Sequence, residues 1–144
     1  MYYINMSRMR FQECFECGVI FSTDHHSAQF CSKKCRKISQ HILRKLSAAI
    51  YNRLSYELQR KYRAPISTAR QLLGCTLREF RLKLEDQFQP GMNWHNHGKW
   101  HIDHIRPIVM FDLTDFEQQR QCFHFSNFQP LWAKDNLRKR RKCL

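Results

Sequence analysis

The chain has 144 residues, of which 42% are hydrophobic and 13% are aromatic, so it is not a disordered tail and can hold one ordinary domain or a few small modules. Its formal net charge of +13 is concentrated in two segments. Residues 36–64 carry eight basic side chains and one acidic, and residues 134–144 carry six basic and one acidic. This clustering predicts a polyanionic partner, most simply nucleic acid, although one basic helix can also be only a well-solvated face.

Neither a membrane-spanning segment nor a framework of disulfide bonds is expected. No run approaches the roughly 20 apolar residues of a membrane-spanning helix. The first 14 residues lack the apolar region and small-residue cleavage site of a signal peptide. Seven cysteines are an odd number, and four of them have metal-ligand spacing, which favours a reducing, intracellular setting.

The first predicted element is a cysteine module over residues 1–36. Its ligand pattern is formed by Cys14, Cys17, Cys31 and Cys35. Four soft thiolates suit a tetrahedral Zn²⁺, and Gly18 permits the tight turn after the first pair. Because four cysteines close the coordination shell, the site is expected to be structural, with His25 and His26 as weaker competing ligands. Such a metal contributes about 10–16 kcal/mol to the folding of small zinc modules.

A basic helical region is predicted over residues 37–91. Helix is expected from Ser32 to about Arg63, with apolar residues at every fourth position: Ile38, Ile42, Leu46, Ile50, Leu54 and Leu58. Each step of four overshoots one helical turn by about 40°, so the helix must bend, break or pack between two neighbours. Residues 67–74 predict a short helix. Thr76 to Glu79 form a capping box that opens a helix through about Phe88.

The last region, residues 92–144, is predicted to combine two strands with a final helix. Lys99 to Ile105 is expected to be a strand, and Asp112 to Gln121 a short helix in the connection. Gln121 to Phe128 is expected to be a second strand or a loop, and Leu131 to about Arg140 the final helix. The predicted fold class is therefore α+β, with a small zinc module, a basic helical middle and a C-terminal ribbon-and-helix core.

Two segments of this last region carry the residues expected for phosphodiester cleavage. They are WHIDHIRP, residues 100–107, and NFQPLWAKDNLRK, residues 127–139. Cleavage needs a base for the attacking water and a cation for the leaving oxygen. His104 suits the base, while Asp103 and Asn136 offer oxygens to a hard cation. Asn127 can cross-link backbone between the two strands and fix His104.

These residues and their neighbours resemble the HNH endonuclease family, in the variant whose third position is Asn. DHIRP carries His104 as the first position, and NFQPLWAKDN carries Asn127 and Asn136 as the second and third. LGCTLREF, LEDQFQPGMNW and GKWHIDHIRP resemble a phage and mobile-element subgroup, so the close resemblance covers about residues 72–142. A leading CxxC…CxxxC finger is also seen in related proteins.

The resemblance implies a ββα-metal, treble-clef-like core with one divalent ion. His104 would then be the general base, Asp103 and Asn136 the metal ligands, and Asn127 the residue that orients His104. An amide oxygen is a harder donor than imidazole, so Mg²⁺ or Mn²⁺ is expected in preference to zinc at this second site. The family also uses transition metals, which leaves the identity of this ion open.

Double-stranded DNA is the expected partner. The residues predicted to contact its phosphates are Arg106, Lys134, Arg138, Lys139, Arg140, Arg141 and Lys142, with Arg44, Lys45 and Arg53 of the basic helix as a second surface. Such contacts position a duplex, read little sequence and weaken steeply with salt. The cysteine module either sits in a groove of the DNA or caps the basic helix.

The sequence thus predicts a metal-dependent endonuclease that leaves a 5′ phosphate and a 3′ hydroxyl. One site per chain implies nicking by a monomer, or double-strand cleavage by a weak dimer. The resemblance implies a phage-encoded homing or DNA-processing enzyme, with other phage DNA-processing proteins as candidate partners, in the cytoplasm of a bacterial host. One alternative is a non-catalytic zinc-containing DNA-binding regulator on an HNH-like scaffold, and a second is an assembly protein with an acidic partner.

Overall fold

The computed structural model describes residues 9–54, 56–58 and 69–142, and for residues 54, 69, 70 and 140–142 it describes the backbone alone. The chain divides into two compact units, residues 1–44 and residues 45–144, and the division falls within the first helix. The predicted small α+β protein is confirmed, with two small sheets and five α-helices among the described residues. The division into regions 1–36, 37–91 and 92–144 stays a prediction.

The first unit is built on a short hairpin. Strands β1 (Arg10–Glu13) and β2 (Ile20–Thr23) pair antiparallel, with Arg10 opposite Thr23 and Glu13 opposite Ile20. Helix α1 (Lys33–Leu54) begins ten residues after β2. Among the described residues of this unit, the buried hydrophobic side chains are Cys14 and Ile42. Apolar burial therefore contributes little to this unit.

Helix α1 confirms the predicted helix from its start to Leu54. The remainder of that prediction, towards Arg63, falls largely outside the described residues. Three successive residues of the apolar stripe, Ile42, Leu46 and Ile50, are buried. The stripe therefore faces protein over at least these three positions, as its spacing predicts.

Two short helices open the described part of the second unit after residue 68. Helix α2 (Ala69–Leu73) ends before Gly74, which has a φ of +73°. Helix α3 (Leu77–Glu85) begins with the predicted capping box: the Thr76 hydroxyl accepts from the Glu79 backbone N–H at 3.2 Å, and the Glu79 carboxylate accepts from the Thr76 N–H at 2.8 Å. The capping-box prediction is confirmed, although α3 ends at Glu85 and not at Phe88.

The second sheet is the frame of the candidate site. Strands β3 (Trp100–His104) and β4 (Phe128–Trp132) pair antiparallel, and helix α5 (Ala133–Lys142) follows β4 directly. The register places Asp103 opposite Gln129 and His104 opposite Phe128. The strand predicted over Lys99 to Ile105 is confirmed.

Two predictions, the position of the second strand and the start of the final helix, were wrong. Residues predicted as a strand or loop from Gln121 belong in part to helix α4 (Phe116–Phe123), which Asp115 caps by accepting from the Glu117 N–H. The strand lies instead at Phe128–Trp132, and the final helix starts at Ala133 and not at Leu131. A proline in this strand is tolerated because a two-stranded sheet has an open edge, where the missing N–H removes no ladder bond.

Trp100 is the centre of the second unit's core. Its side chain is fully buried, and its ring lies against Phe88 and Trp94 at centroid distances of 4.9 and 5.2 Å. The indole N–H donates to the Asn93 carbonyl at 2.9 Å and to Asn96 Oδ1 at 3.1 Å. This packing fixes the start of β3 and therefore the strand that carries the predicted catalytic residues. No helix in the described part of the chain has both the length and the apolar character needed to span a membrane.

Candidate functional site

The four predicted zinc ligands form one cluster in the first unit. Their sulfur atoms all lie within 4.8 Å of one another, and Cys31 Sγ lies 3.6 Å from the sulfurs of both Cys17 and Cys35. A tetrahedral Zn²⁺ with bonds of about 2.3 Å needs sulfur atoms about 3.8 Å apart, so the cluster fits zinc. These four cysteines could therefore hold a metal such as zinc.

Local backbone geometry builds this cluster. Cys14 follows β1, and the Gly18 N–H donates to its carbonyl at 2.8 Å in a turn where Gly18 has a φ of +72°. The Ser32 hydroxyl accepts from the Cys35 N–H at 3.2 Å in the first turn of α1. Short chain segments thus position both ligand pairs, which is why spacing alone predicted them.

The thiols differ in how readily they ionise. Burial raises the pKa of Cys14, but backbone N–H groups of Cys31, Cys17 and Glu16 outweigh it and lower the pKa to about 6. Neighbouring sulfurs, Cys17 first, raise the pKa of Cys31 to about 12. The Cys14 thiolate therefore forms easily, whereas a nearby cation would favour ionisation of Cys31. His25 and His26 stack on each other at 6.2 Å and are not members of the cluster.

A cleft of about 550 Å³ lies in the second unit. Its polar and charged lining residues are Arg53, Tyr56, Glu57, Asp103, His104, Asn136 and Lys139. Three of the four predicted nuclease residues therefore share one cavity. Arg53 and Tyr56 come from the chain around the end of α1, far from the motif in sequence, and both are exposed.

Among the described residues, His104 is one of two buried polar residues that line this cleft, together with Glu57. It is 7% exposed, and its ring lies between Phe123 and Phe128 at centroid distances of 5.6 and 4.5 Å. Its buried Nε2 makes no hydrogen bond within the part of the chain that the structure describes. Burial first, with Arg53 and Lys139 adding to it against the opposing charge of Asp103, lowers the pKa of His104 to about 4. The imidazole is therefore neutral at pH 7.

Asp103 is held by two partners. Its Oδ2 accepts from Lys139 Nζ at 2.5 Å and from Gln129 Nε2 at 3.2 Å. Lys139 Nζ also donates to the backbone carbonyls of His104 and Ile105. Three oxygens thus surround one ammonium group. Oxygens in such an arrangement are also suitable ligands for a hard metal cation.

Asn136 lies on α5 one turn before Lys139, and its amide contacts β3. Its Nδ2 lies 3.2 Å from His101 Nδ1. His101 and Asp103 alternate with the core residues Trp100 and His104 along β3, so the first two share the face of the strand towards α5. The oxygen donors of Asp103 and Asn136 and the ring of His101 therefore belong to one surface.

Asn127 holds the backbone at the end of β3. Its Oδ1 accepts from the Arg106 N–H at 2.8 Å, and its Nδ2 donates to the carbonyls of Arg106 and Cys122 at 3.2 and 2.9 Å. Its own carbonyl accepts from the Ile105 N–H at 2.8 Å. One side chain thus ties the segment after His104 to the end of α4.

The predicted phosphate contacts have different surroundings. Arg44, Lys45, Lys134 and Arg138 are exposed, whereas the side chains of Arg140, Arg141 and Lys142 lie outside the described part of the chain. Arg106 donates to the Met110 carbonyl at 2.8 Å and lies over the Phe111 ring at 4.2 Å, so its guanidinium is engaged locally. Lys139 is engaged with Asp103.

Gln129 and Tyr56 were not identified from the sequence. Gln129 reaches Asp103 only because the register of β3 and β4 sets the two residues opposite each other. Tyr56 lines the cleft through the path of the chain after α1. Neither residue belongs to a sequence motif. The role of Gln129 could have been predicted only from the register of β3 and β4.

Two uncharacterized proteins of Acanthamoeba polyphaga mimivirus are similar to about half of the chain. Uncharacterized protein L246 is 46% identical over 71 residues, 49% of this chain and 31% of the relative. Uncharacterized protein L426 is 43% identical over 75 residues, 51% of this chain and 33% of the relative. The matched part thus spans about a third of the length of these curated relatives. No family model and no solved structure matches the chain.

Proposed function

We propose that the chain is a metal-dependent DNA endonuclease with an HNH-like ββα core. The observation that carries this proposal is the shared cleft, in which Asp103, His104 and Asn136 are lining residues. They come from a two-stranded antiparallel sheet and the helix that follows it, which is the arrangement that the resemblance implied. Asn127, the second motif position, fixes the backbone after His104.

His104 acts as the general base in this proposal. Its ring is neutral at pH 7, and its Nε2 has no hydrogen-bond partner among the described residues, so this nitrogen would be open to the proton of an attacking water that enters the cleft beside it. A bound Mg²⁺ or Mn²⁺ would stabilise the charge on the leaving 3′ oxygen. Asp103 and Asn136 would hold this ion, and Arg53, an exposed lining residue that pairs with the Glu57 carboxylate at 3.5 Å, would hold the phosphate.

The cysteine cluster supports this function as a structural zinc site. Its four ligands leave no open position for water or substrate, so it can take no part in hydrolysis. The exposed basic residues Arg44, Lys45, Lys134 and Arg138 would position double-stranded DNA by its phosphates. The uncharacterized mimivirus relatives support a virus-encoded protein, which would act as a nicking monomer or weak dimer in the cytoplasm of the host cell.

Plasmid nicking tests the proposal. The zinc-loaded chain should convert supercoiled plasmid to the open circle with Mg²⁺ or Mn²⁺ and not with a chelator that spares the cysteine site. His104→Ala should lower the nicking rate by about 100-fold or more, because a positioned base contributes about 10²–10⁴. His95→Ala, an exposed histidine outside the cleft, is the matched control. Full activity in the His104 variant, or no metal-dependent nicking in the wild type, overturns the proposal.

One contact favours a second candidate, a non-catalytic DNA-binding protein on the same scaffold. The Lys139 ammonium neutralises Asp103, the carboxylate that a catalytic metal would need. A regulator predicts salt-sensitive DNA binding that neither metal nor the His104 substitution alters, together with intact plasmid. Measuring DNA binding and nicking on the same samples therefore separates the two candidates.

A further inference from the structure

The Lys139 ammonium lies within a group of oxygens that the predicted DNA contact does not explain. It donates to Asp103 Oδ2 at 2.5 Å, to the Ile105 carbonyl at 3.2 Å and to the His104 carbonyl. We call these three oxygens the cation cradle. A carboxylate and two carbonyls are the donors that Mg²⁺ and Mn²⁺ prefer, so the ammonium occupies a place that chemically suits a divalent ion.

We propose that Lys139 is the resident counter-ion of the cation cradle and that a divalent metal can bind Asp103 only after Lys139 leaves. The inference rests on the proposed function, since it concerns the ion that Asp103 and Asn136 would hold. Two cations cannot share three oxygens at hydrogen-bond distance without strong repulsion. The free protein therefore has a low affinity for the metal, set by the cost of displacing the lysine.

The surroundings of Lys139 allow such a displacement. Its side chain is 26% exposed and that of Asp103 is 15% exposed, so the pair lies at the edge of the cleft and not in the core. The four-carbon stem of lysine is flexible, and its ammonium is strongly hydrated in water. Asn136 stands one turn earlier on the same helix, so the second predicted ligand stays in place when Lys139 swings out.

Mn²⁺ binding to the free, zinc-loaded full chain tests the inference. Lys139→Met removes the charge and keeps a long side chain, so it should tighten the dissociation constant for Mn²⁺ by roughly tenfold or more at low salt. Lys139→Arg keeps a positive charge at the site and should leave Mn²⁺ binding weak. Lys99→Met removes one exposed lysine just before β3 and should change the affinity little. Thermal melts of all three variants report whether they fold.

The outcomes distinguish this inference from the nuclease proposal. Equal Mn²⁺ affinities in the wild type and Lys139→Met, with metal-dependent nicking retained, overturn the inference and leave the nuclease proposal standing. A tightened affinity that persists when Asp103→Asn is added places the ion elsewhere and also overturns it. Absence of Mn²⁺ binding in the wild type and Lys139→Met overturns both proposals. A tighter affinity that Asp103→Asn abolishes supports the resident counter-ion.

Discussion

The two candidate metal sites differ in what competes for their ligands. In the cysteine cluster, the sulfurs lie within 4.8 Å of one another, and one metal ion could contact all four at once. In the cleft, Asp103 already has Lys139 and Gln129 as partners, and the Asn136 amide contacts His101. A thiolate site thus follows from short spacings along the chain, whereas an oxygen site depends on which cations and donors the fold brings beside it.

The two units differ in the same way in what stabilises them. The second unit has a buried core around Trp100, Phe80 and Leu84. The described part of the first unit buries two hydrophobic side chains, and one of them is the metal-ligand candidate Cys14. A small module with so little apolar burial needs a crosslink or a metal to fold.

Removal of zinc should have the largest effect on stability, and this effect should be confined to the first unit. Chelation, or Cys31→Ser, should remove most of the roughly 10–16 kcal/mol that such a metal contributes to small modules, and amide-exchange protection over residues 10–35 should disappear. Metal analysis and hydrogen exchange on the full chain measure both changes. Cys75→Ser is the control, because Cys75 is not a member of the cluster. Retained protection after complete metal loss would contradict the structural role.

Substitution of Trp100 should have the next largest effect on stability, and it should destabilise the second unit. Trp100→Ala removes a fully buried ring together with its two hydrogen bonds, and it should lower the free energy of unfolding by about 3–5 kcal/mol. Chemical denaturation followed by far-UV circular dichroism measures this change. Phe116→Ala, at a half-exposed position, should stay within about 0.5 kcal/mol. Equal losses in the two variants would show that the core is not centred on Trp100.

Asn127→Asp should have the smallest effect of the three on stability. The shape is kept, but the two bonds that Nδ2 donates to the Arg106 and Cys122 carbonyls are replaced by oxygen facing oxygen. The free energy of unfolding should fall by about 1–3 kcal/mol, measured by urea titration. Asn93→Asp is the matched control, since Asn93 Oδ1 accepts from two backbone N–H groups and a carboxylate keeps that role. If Asn93→Asp lowers the free energy of unfolding by as much, the effect at Asn127 comes from the added charge and not from the lost hydrogen bonds to the backbone.

The sequence predicted the elements whose signals are local. The start of α1, the Thr76 capping box and strand β3 all follow from residues within a few positions of each other, and all three are confirmed. Strand β4 was misplaced because Pro130 weakens the local strand pattern, while pairing with β3 outweighs that weakness in the fold. The beginning of α5 moved for the same reason, since Leu131 and Trp132 belong to the sheet.

For the two sites, the sequence by itself determined the four-cysteine cluster and the positions of the Asp-His and Asn residues along the chain. Cysteines three and four residues apart meet through local turns, and the two pairs come together within 22 residues of the chain, with Cys17 and Cys31 only 14 positions apart. Tertiary structure alone decided that Lys139 meets Asp103, that Gln129 faces it and that the end of α1 closes the cleft. These contacts join residues 26 or more positions apart, and their formation depends on strand register and helix packing, which no short sequence pattern encodes.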